Sequence, residues 1–357
     1  MRRILTSLPA FLPFTQSTRT NPTPQPRMTS SPSQILDTRK EWRDELEKLP
    51  TLEENGGKIP SVFLAHGQPM LLFPPHLAKD NPMLSTIGEI QGPGGLLCQF
   101  LEDLGPALLE KYNPRAIAVL SAHYETEGGG VVTDYGDENP LLYDYFGFPD
   151  ELYQVKFRSS GDSKLSQQIV DLLQKAGIKQ SKLTSKLETR GKDGRGFDGP
   201  GLDHGVFVPF KLMFGDQAPV PIVQVSIPSD LSPRAQRSIG EALEPLRSEG
   251  VLIISGGLTI HTFRDFSAFS PSTAKPIYHS FESSIISALS EPDFETRTTA
   301  LDNLTRHPGF RPAHPREEHF VPVYIAAGAA KESEEKEGKK SRIVCGLYGA
   351  KTVLFGV

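Results

Sequence analysis

Short apolar runs alternate along the chain with segments whose apolar residues recur every three or four positions. That alternation predicts an α/β fold. Near-continuous apolar runs at 61–65, 116–121, 220–227 and 251–255 read as strands buried on both faces. Between them, 100–111 places Leu101, Leu104, Leu108 and Leu109 on one helical face, and 165–176 and 233–247 carry the same spacing. Asn113-Pro114 stops the first of these helices, and Gly177 closes the second. Further helices are expected at 35–48, 206–214, 277–289 and 320–330, and further strands at 131–133, 343–348 and 352–355. Alternation at 153–157 predicts an exposed or edge strand. Residues 182–201 are polar and glycine-rich and predict a long loop, and 331–340, almost entirely charged, predict a solvated one.

Composition narrows the function. The 357 residues carry a formal net charge of -5, which offers no electrostatic attraction to nucleic acid or to an anionic membrane. No apolar run reaches the roughly 18 residues that a membrane helix needs. Cys98 and Cys345 stand far apart and form neither a disulfide framework nor a thiolate metal site. A cytoplasmic, reducing location is the simplest expectation. Residues 1–35 add the possibility of mitochondrial targeting: with Arg2, Arg3, Arg19 and Arg27, many Ser, Thr and Pro and no acid, they read as a disordered leader or a transit peptide. Residues 36–357 are expected to form a single domain, because the candidate site residues span from His66 to His319.

Those candidates are histidines. His66, His123 and His261 follow apolar runs, and His204 stands in Leu-Asp-His204-Gly-Val-Phe-Val-Pro. Ligands of open α/β sheets gather beyond the carboxyl ends of the strands, so histidines placed there converge on one metal. With no thiolate in reach, the ligands are imidazole and carboxylate, a set that suits iron or zinc. Small neighbours beside each histidine let backbone approach closely. Asp203 is either an acceptor that fixes an imidazole tautomer or a helix N-cap. Glu125 is either a carboxylate ligand or, the preferred reading, an exposed loop acid. A later cluster, His314-Pro-Arg-Glu-Glu-His319-Phe-Val-Pro, supplies His319 as a proton donor or substrate anchor and His314 as a weaker candidate. His76, His279 and His307 lack strand-end settings.

Taken in order, Ala-His66-Gly-Gln-Pro, Ser-Ala-His123-Tyr, Leu-Asp-His204-Gly-Val-Phe-Val-Pro, Gly-Gly-Leu-Thr-Ile-His261 and the His314–His319 cluster resemble the class III extradiol ring-cleavage dioxygenases, in their DOPA 4,5-dioxygenase-like branch. The resemblance covers about residues 59–357. It implies an α/β/α sandwich with a mostly parallel or mixed central sheet flanked by helices. It implies one mononuclear non-haem site for Fe(II) or Zn(2+), held by His66, His123 and His261, with His204 as acid/base and possible fourth ligand. The reaction implied is insertion of both atoms of O2 into a small catecholic, DOPA-like substrate. Phe207, Tyr124 and Phe320 are candidates to pack against its ring, or core residues. Two other readings stay open: a zinc-dependent hydrolase using the same histidines, although no carboxylate base stands among the motifs, and a non-catalytic binding protein of the same fold.

Overall fold

Eight strands order the chain in a computed structural model that describes residues 37–79, 81–184 and 199–357. They are β1 (Ser61–Ala65), β2 (Ala116–Thr126), β3 (Val131–Thr133), β4 (Lys182–Thr184), β5 (Ile222–Pro228), β6 (Val251–Gly257), β7 (Arg342–Cys345) and β8 (Thr352–Phe355). They form one mixed sheet in the order β4-β3-β5-β2-β6-β1-β8-β7. The central β5-β2-β6-β1 are mutually parallel, while β3 runs antiparallel to β5 and β8 to β1. Every residue of β1, β5 and β6 is buried, which explains their unbroken apolar runs.

Successive side chains of a strand face opposite ways, and here they feed two helical layers. Ile117 and Val119 of β2 pack with Leu252, Ile254 and the apolar faces of helices Leu96–Tyr112 and His204–Phe214. Ala116, Ala118 and Leu120 face the other way, toward helices Ser163–Lys175 and Pro233–Leu243. The expected sandwich is therefore present. The helix Leu96–Tyr112 ends where foreseen, with Asn113 in the left-handed region (φ 40°) and Pro114 beyond it. Among the described residues, no helix is long and apolar enough to cross a membrane.

Three local expectations fail for identifiable reasons. Residues 153–157 are not a strand: a 3-10 turn, Asp150–Gln154, follows Pro149. Tyr143 and Tyr145 donate their hydroxyls to the carbonyls of Val155 (2.6 Å) and Leu152 (2.5 Å), groups that a ladder would need. The charged stretch is not a loop over its first part but a helix, Lys331–Glu337, ended by Gly338 at φ 72°. Ser333 and Glu334 are buried there: Arg297 donates to Glu334 at 2.8 Å and Arg247 to Ser333 Oγ at 3.1 Å. Helices Leu84–Gln91 and Phe294–Leu304 were unforeseen. The third failure is the start of the long loop expected at 182–201: Lys182–Thr184 form β4 instead, because they pair with Val131–Thr133 of β3. The leader and residues 185–198 of that loop lie outside the described residues.

Candidate active site

The end of the sheet positions each histidine differently. His66 follows β1 directly, and its amide donates to Gly257 O of the neighbouring β6 (3.1 Å). Gly67, at φ 71°, turns the chain there. His66 Nδ1 lies 2.7 Å from Gly67 O, and a carbonyl only accepts, so Nδ1 carries the proton. Nε2 is left as a buried lone pair with no hydrogen-bond partner among the described residues. Burial, with the nearby His204, lowers the His66 pKa to about 4, so the ring is neutral.

His123 lies inside β2 rather than beyond it. From Leu120 to Glu125 the strand advances five residues while β5 advances two, from Val225 to Ile227. The extra residues bulge out of the ladder and turn His123 toward the site. The segment carrying His319 runs against the end of β6: Leu258 N donates to His319 O (2.8 Å), and a Cβ on Gly257 would stand 2.2 Å from that oxygen. Only glycine admits this approach. His261 lies beyond β6, half-buried, its ring stacked on His319 at 3.5 Å between centroids and 14° between planes.

These placements reorder the expected set. One ligand atom each from His66, His123 and His319 lie within 4.8 Å of one another, and His319 Nε2 is 3.3 Å from His123 Nε2. His261, expected as the third metal ligand, does not join His66 and His123. It groups instead with Glu318 and His319, because it stacks on the far ring. His319, expected to carry protons, is the ring that lies beside His66 and His123. His204 is the first residue of its helix and groups with His123 and Asp144.

Asp144 escaped the sequence reading. Its Oδ1 accepts from the His204 backbone amide (2.8 Å) and from His204 Nδ1 (2.7 Å), and its Oδ2 lies 3.8 Å from His123 Nδ1. One buried carboxylate thus caps the helix and fixes the tautomer of the ring that opens it. Its only signal was an acid among aromatics, Tyr143-Asp144-Tyr145-Phe146. Glu318 serves His319 similarly, accepting from Nδ1 at 3.0 Å. Outer nitrogens held by oxygens leave the inner ones as acceptors, the arrangement found around metal-bound imidazoles. Neutral imidazoles with a bare, buried Nε2 among them fit a divalent transition metal.

Asp203 stands at the N-cap position of the helix His204–Phe214, in extended backbone. Its side chain makes no cap; it accepts from Ser121 Oγ (2.7 Å) and Gln224 Nε2 (2.6 Å), tying the helix start to β2 and β5. Glu125, preferred as an exposed loop acid, instead lies in β2 with its side chain 10% exposed, paired with Arg316 at 2.6 Å, and it joins none of the histidine groups among the described residues. His314 is fully buried among Phe281, Phe310 and Phe320, with Nε2 2.9 Å from Thr259 O, and is structural. Phe207, Tyr124 and Phe320 are core residues. The histidines open into a cavity of about 1080 Å³ whose lining includes His123, His204, His261, His319 and Asp144.

A family model described as the catalytic LigB subunit of aromatic ring-opening dioxygenase matches residues 62–356. A Schizosaccharomyces pombe protein named 4,5-DOPA dioxygenase extradiol-like protein is 44% identical over 325 residues, covering 91% of this chain and 98% of its own. The 4,5-DOPA dioxygenase extradiol of Beta vulgaris is 34% identical over 277 residues, covering 78% of this chain and 89% of its own. In fold, the chain is similar to an uncharacterized Escherichia coli K12 protein of known crystal structure, at a TM-score of 0.56 and 24% identity, over 84% of this chain and 100% of that one. The chain belongs to the LigB family of extradiol aromatic ring-opening dioxygenases.

Proposed function

We propose that this chain is a metal-dependent extradiol dioxygenase that opens a catecholic, DOPA-like ring with O2. His66, His123 and His319 hold one Fe(II), with Zn(2+) as the competing ion. The observation that carries this reading is the convergence of three ligand atoms within 4.8 Å beside the His204–Asp144 pair, at a cavity that His123, His319 and His204 line. When bound, Fe(II) supplies Lewis acidity toward the diol and the electron exchange that O2 requires.

The chain's own residues supply proton handling. Asp144 holds the Nδ1 proton of His204, so Nε2 is the basic nitrogen that takes a proton from the diol and returns it as the ring opens. Both atoms of O2 stay in the product, and one ring carbon–carbon bond outside the diol breaks, leaving a coloured semialdehyde acid.

The test is anaerobic loading with Fe(II), then a panel of catechols and O2, with oxygen uptake and the yellow product as readouts. Absence of uptake across the panel refutes the reading, and hydrolytic activity with zinc and no O2 would replace it by the hydrolase. Separate substitutions divide the roles. His66→Ala, His123→Ala and His319→Ala lose metal by elemental analysis, while His204→Ala keeps metal and loses turnover. Metal loss in His204→Ala would make His204 a ligand instead.

A further inference from the structure

The histidine cavity exceeds what a single catechol ring requires. At about 1080 Å³ it reaches the top of the roughly 300–1,000 Å³ range that accommodates drug-sized ligands. His123, His204, His261 and His319 stand on its wall with Asp144. The rest of the wall is mostly apolar, with Met70, Phe73, Met83, Phe148 and Phe263, interrupted by Gln68, Asn81 and Thr262. Met70 and Phe73 are buried, so this side is built into the fold by the segment that follows β1.

The rim carries a second, independent observation. Among the described residues, the two most exposed large apolar side chains are Phe146 (81%) and Phe263 (59%), and both line this cavity. Exposed aromatics gathered at a binding cavity mark a surface that a ligand covers. Phe263 stands edge-on to His261 at 4.9 Å, and His261 stacks on His319. A continuous run of rings therefore leads from the rim to the histidine group. Arg316 on the same wall donates both its bonds to Glu125, at 2.6 and 2.7 Å, with Glu318 at 3.5 Å, so its charge is engaged by the protein's own carboxylates.

From this continuity of size, apolar wall and aromatic rim we infer that the substrate is a catechol bearing an extended apolar substituent, of at least a second ring, which lies against Met70, Phe73 and Phe263. The inference rests on the ring-cleavage reading for the place of the diol, and it names the part of the substrate beyond it. Phe263 is the specificity-determining side chain at the rim, where a substituent leaves solvent.

The test separates binding from turnover. Calorimetric titration of the zinc-loaded full chain, without O2, compares catechol, L-DOPA and 4-phenylcatechol. The expected result is 4-phenylcatechol bound at least about tenfold tighter than either, as burial of a second ring requires. Phe263→Ser, at an exposed position that leaves the core intact, should shrink the ratio of 4-phenylcatechol to catechol affinity at least about threefold. Equal affinities, or L-DOPA bound tighter than 4-phenylcatechol, overturn the inference, as does an unchanged ratio in Phe263→Ser. Oxygen uptake by the Fe(II)-loaded chain distinguishes the two failures. Uptake with catechol and L-DOPA but no binding preference sinks the substituent alone. A preference without uptake from any catechol sinks ring cleavage and leaves the binding surface standing.

Discussion

Replacing Asp144 by Asn tests the proton-handling site with little change of shape. The carboxylate is 0% exposed, and its Oδ1 accepts two bonds, from the His204 amide at 2.8 Å and from Nδ1 at 2.7 Å. An asparagine oxygen can accept both, so helix start and ring orientation survive while the negative charge is lost. That charge matters when His204 holds a second proton during turnover. A hydrogen bond to a charged group contributes about 1.5–3 kcal/mol, which corresponds to roughly 10- to 150-fold in rate. The expected outcome for Asp144→Asn is therefore a fall of that size in kcat for oxygen uptake, with metal content and melting temperature close to those of the parent. Asp144→Ala should in addition destabilise the fold by about 1–3 kcal/mol, since it orphans a buried amide. Parental kcat in a folded, metal-replete Asp144→Asn would refute the reasoning and reduce Asp144 to a helix cap.

Three further outcomes bear on the frame around the site. Gly257→Ala drives a Cβ onto the His319 carbonyl, at 2.2 Å, so it should cost about 1–3 kcal/mol in urea unfolding and weaken metal binding by displacing His319. His314 is a pH liability: burial lowers its pKa from 6.5 to about 4, so between those values the unfolded chain binds a proton that the folded chain refuses. Its contribution is full above pH 6.5 and falls by about 3 kcal/mol as pH drops to 4, so the stability difference between parent and His314→Gln should vary with pH over that window and be constant above it. Arg297 and Glu334 are both 2% exposed and 2.8 Å apart. Arg297→Met alone should cost about 3–5 kcal/mol in denaturant unfolding, and the double change Arg297→Met with Glu334→Leu should recover most of it.

The frame was legible because its signals are local. A strand buried on both faces must be apolar throughout, so β1 and β8 occur at the predicted residues, and the helix before β2 ends at Asn113-Pro114 as its turn chemistry requires. His66 and His261 were legible for the same reason, since they follow the buried strands β1 and β6. Which histidines meet was not, because that depends on long-range approach. His319 reaches His123 through a contact between Gly257 and its own carbonyl, across more than sixty residues of chain, and a sequence offers no term for it. Asp144 lies sixty residues before His204 and carries no motif. The charged helix misled for a related reason: Glu334 reads as solvated until Arg297 and Gly356 are brought to it by the fold. In each case the residue's type was informative and its partner was not. The partners set each imidazole's surroundings: His319 stands beside His66 and His123 with its Nδ1 on Glu318, and His204 holds Asp144. Exchanging those oxygens should therefore alter function more than exchanging any aromatic of the surrounding core.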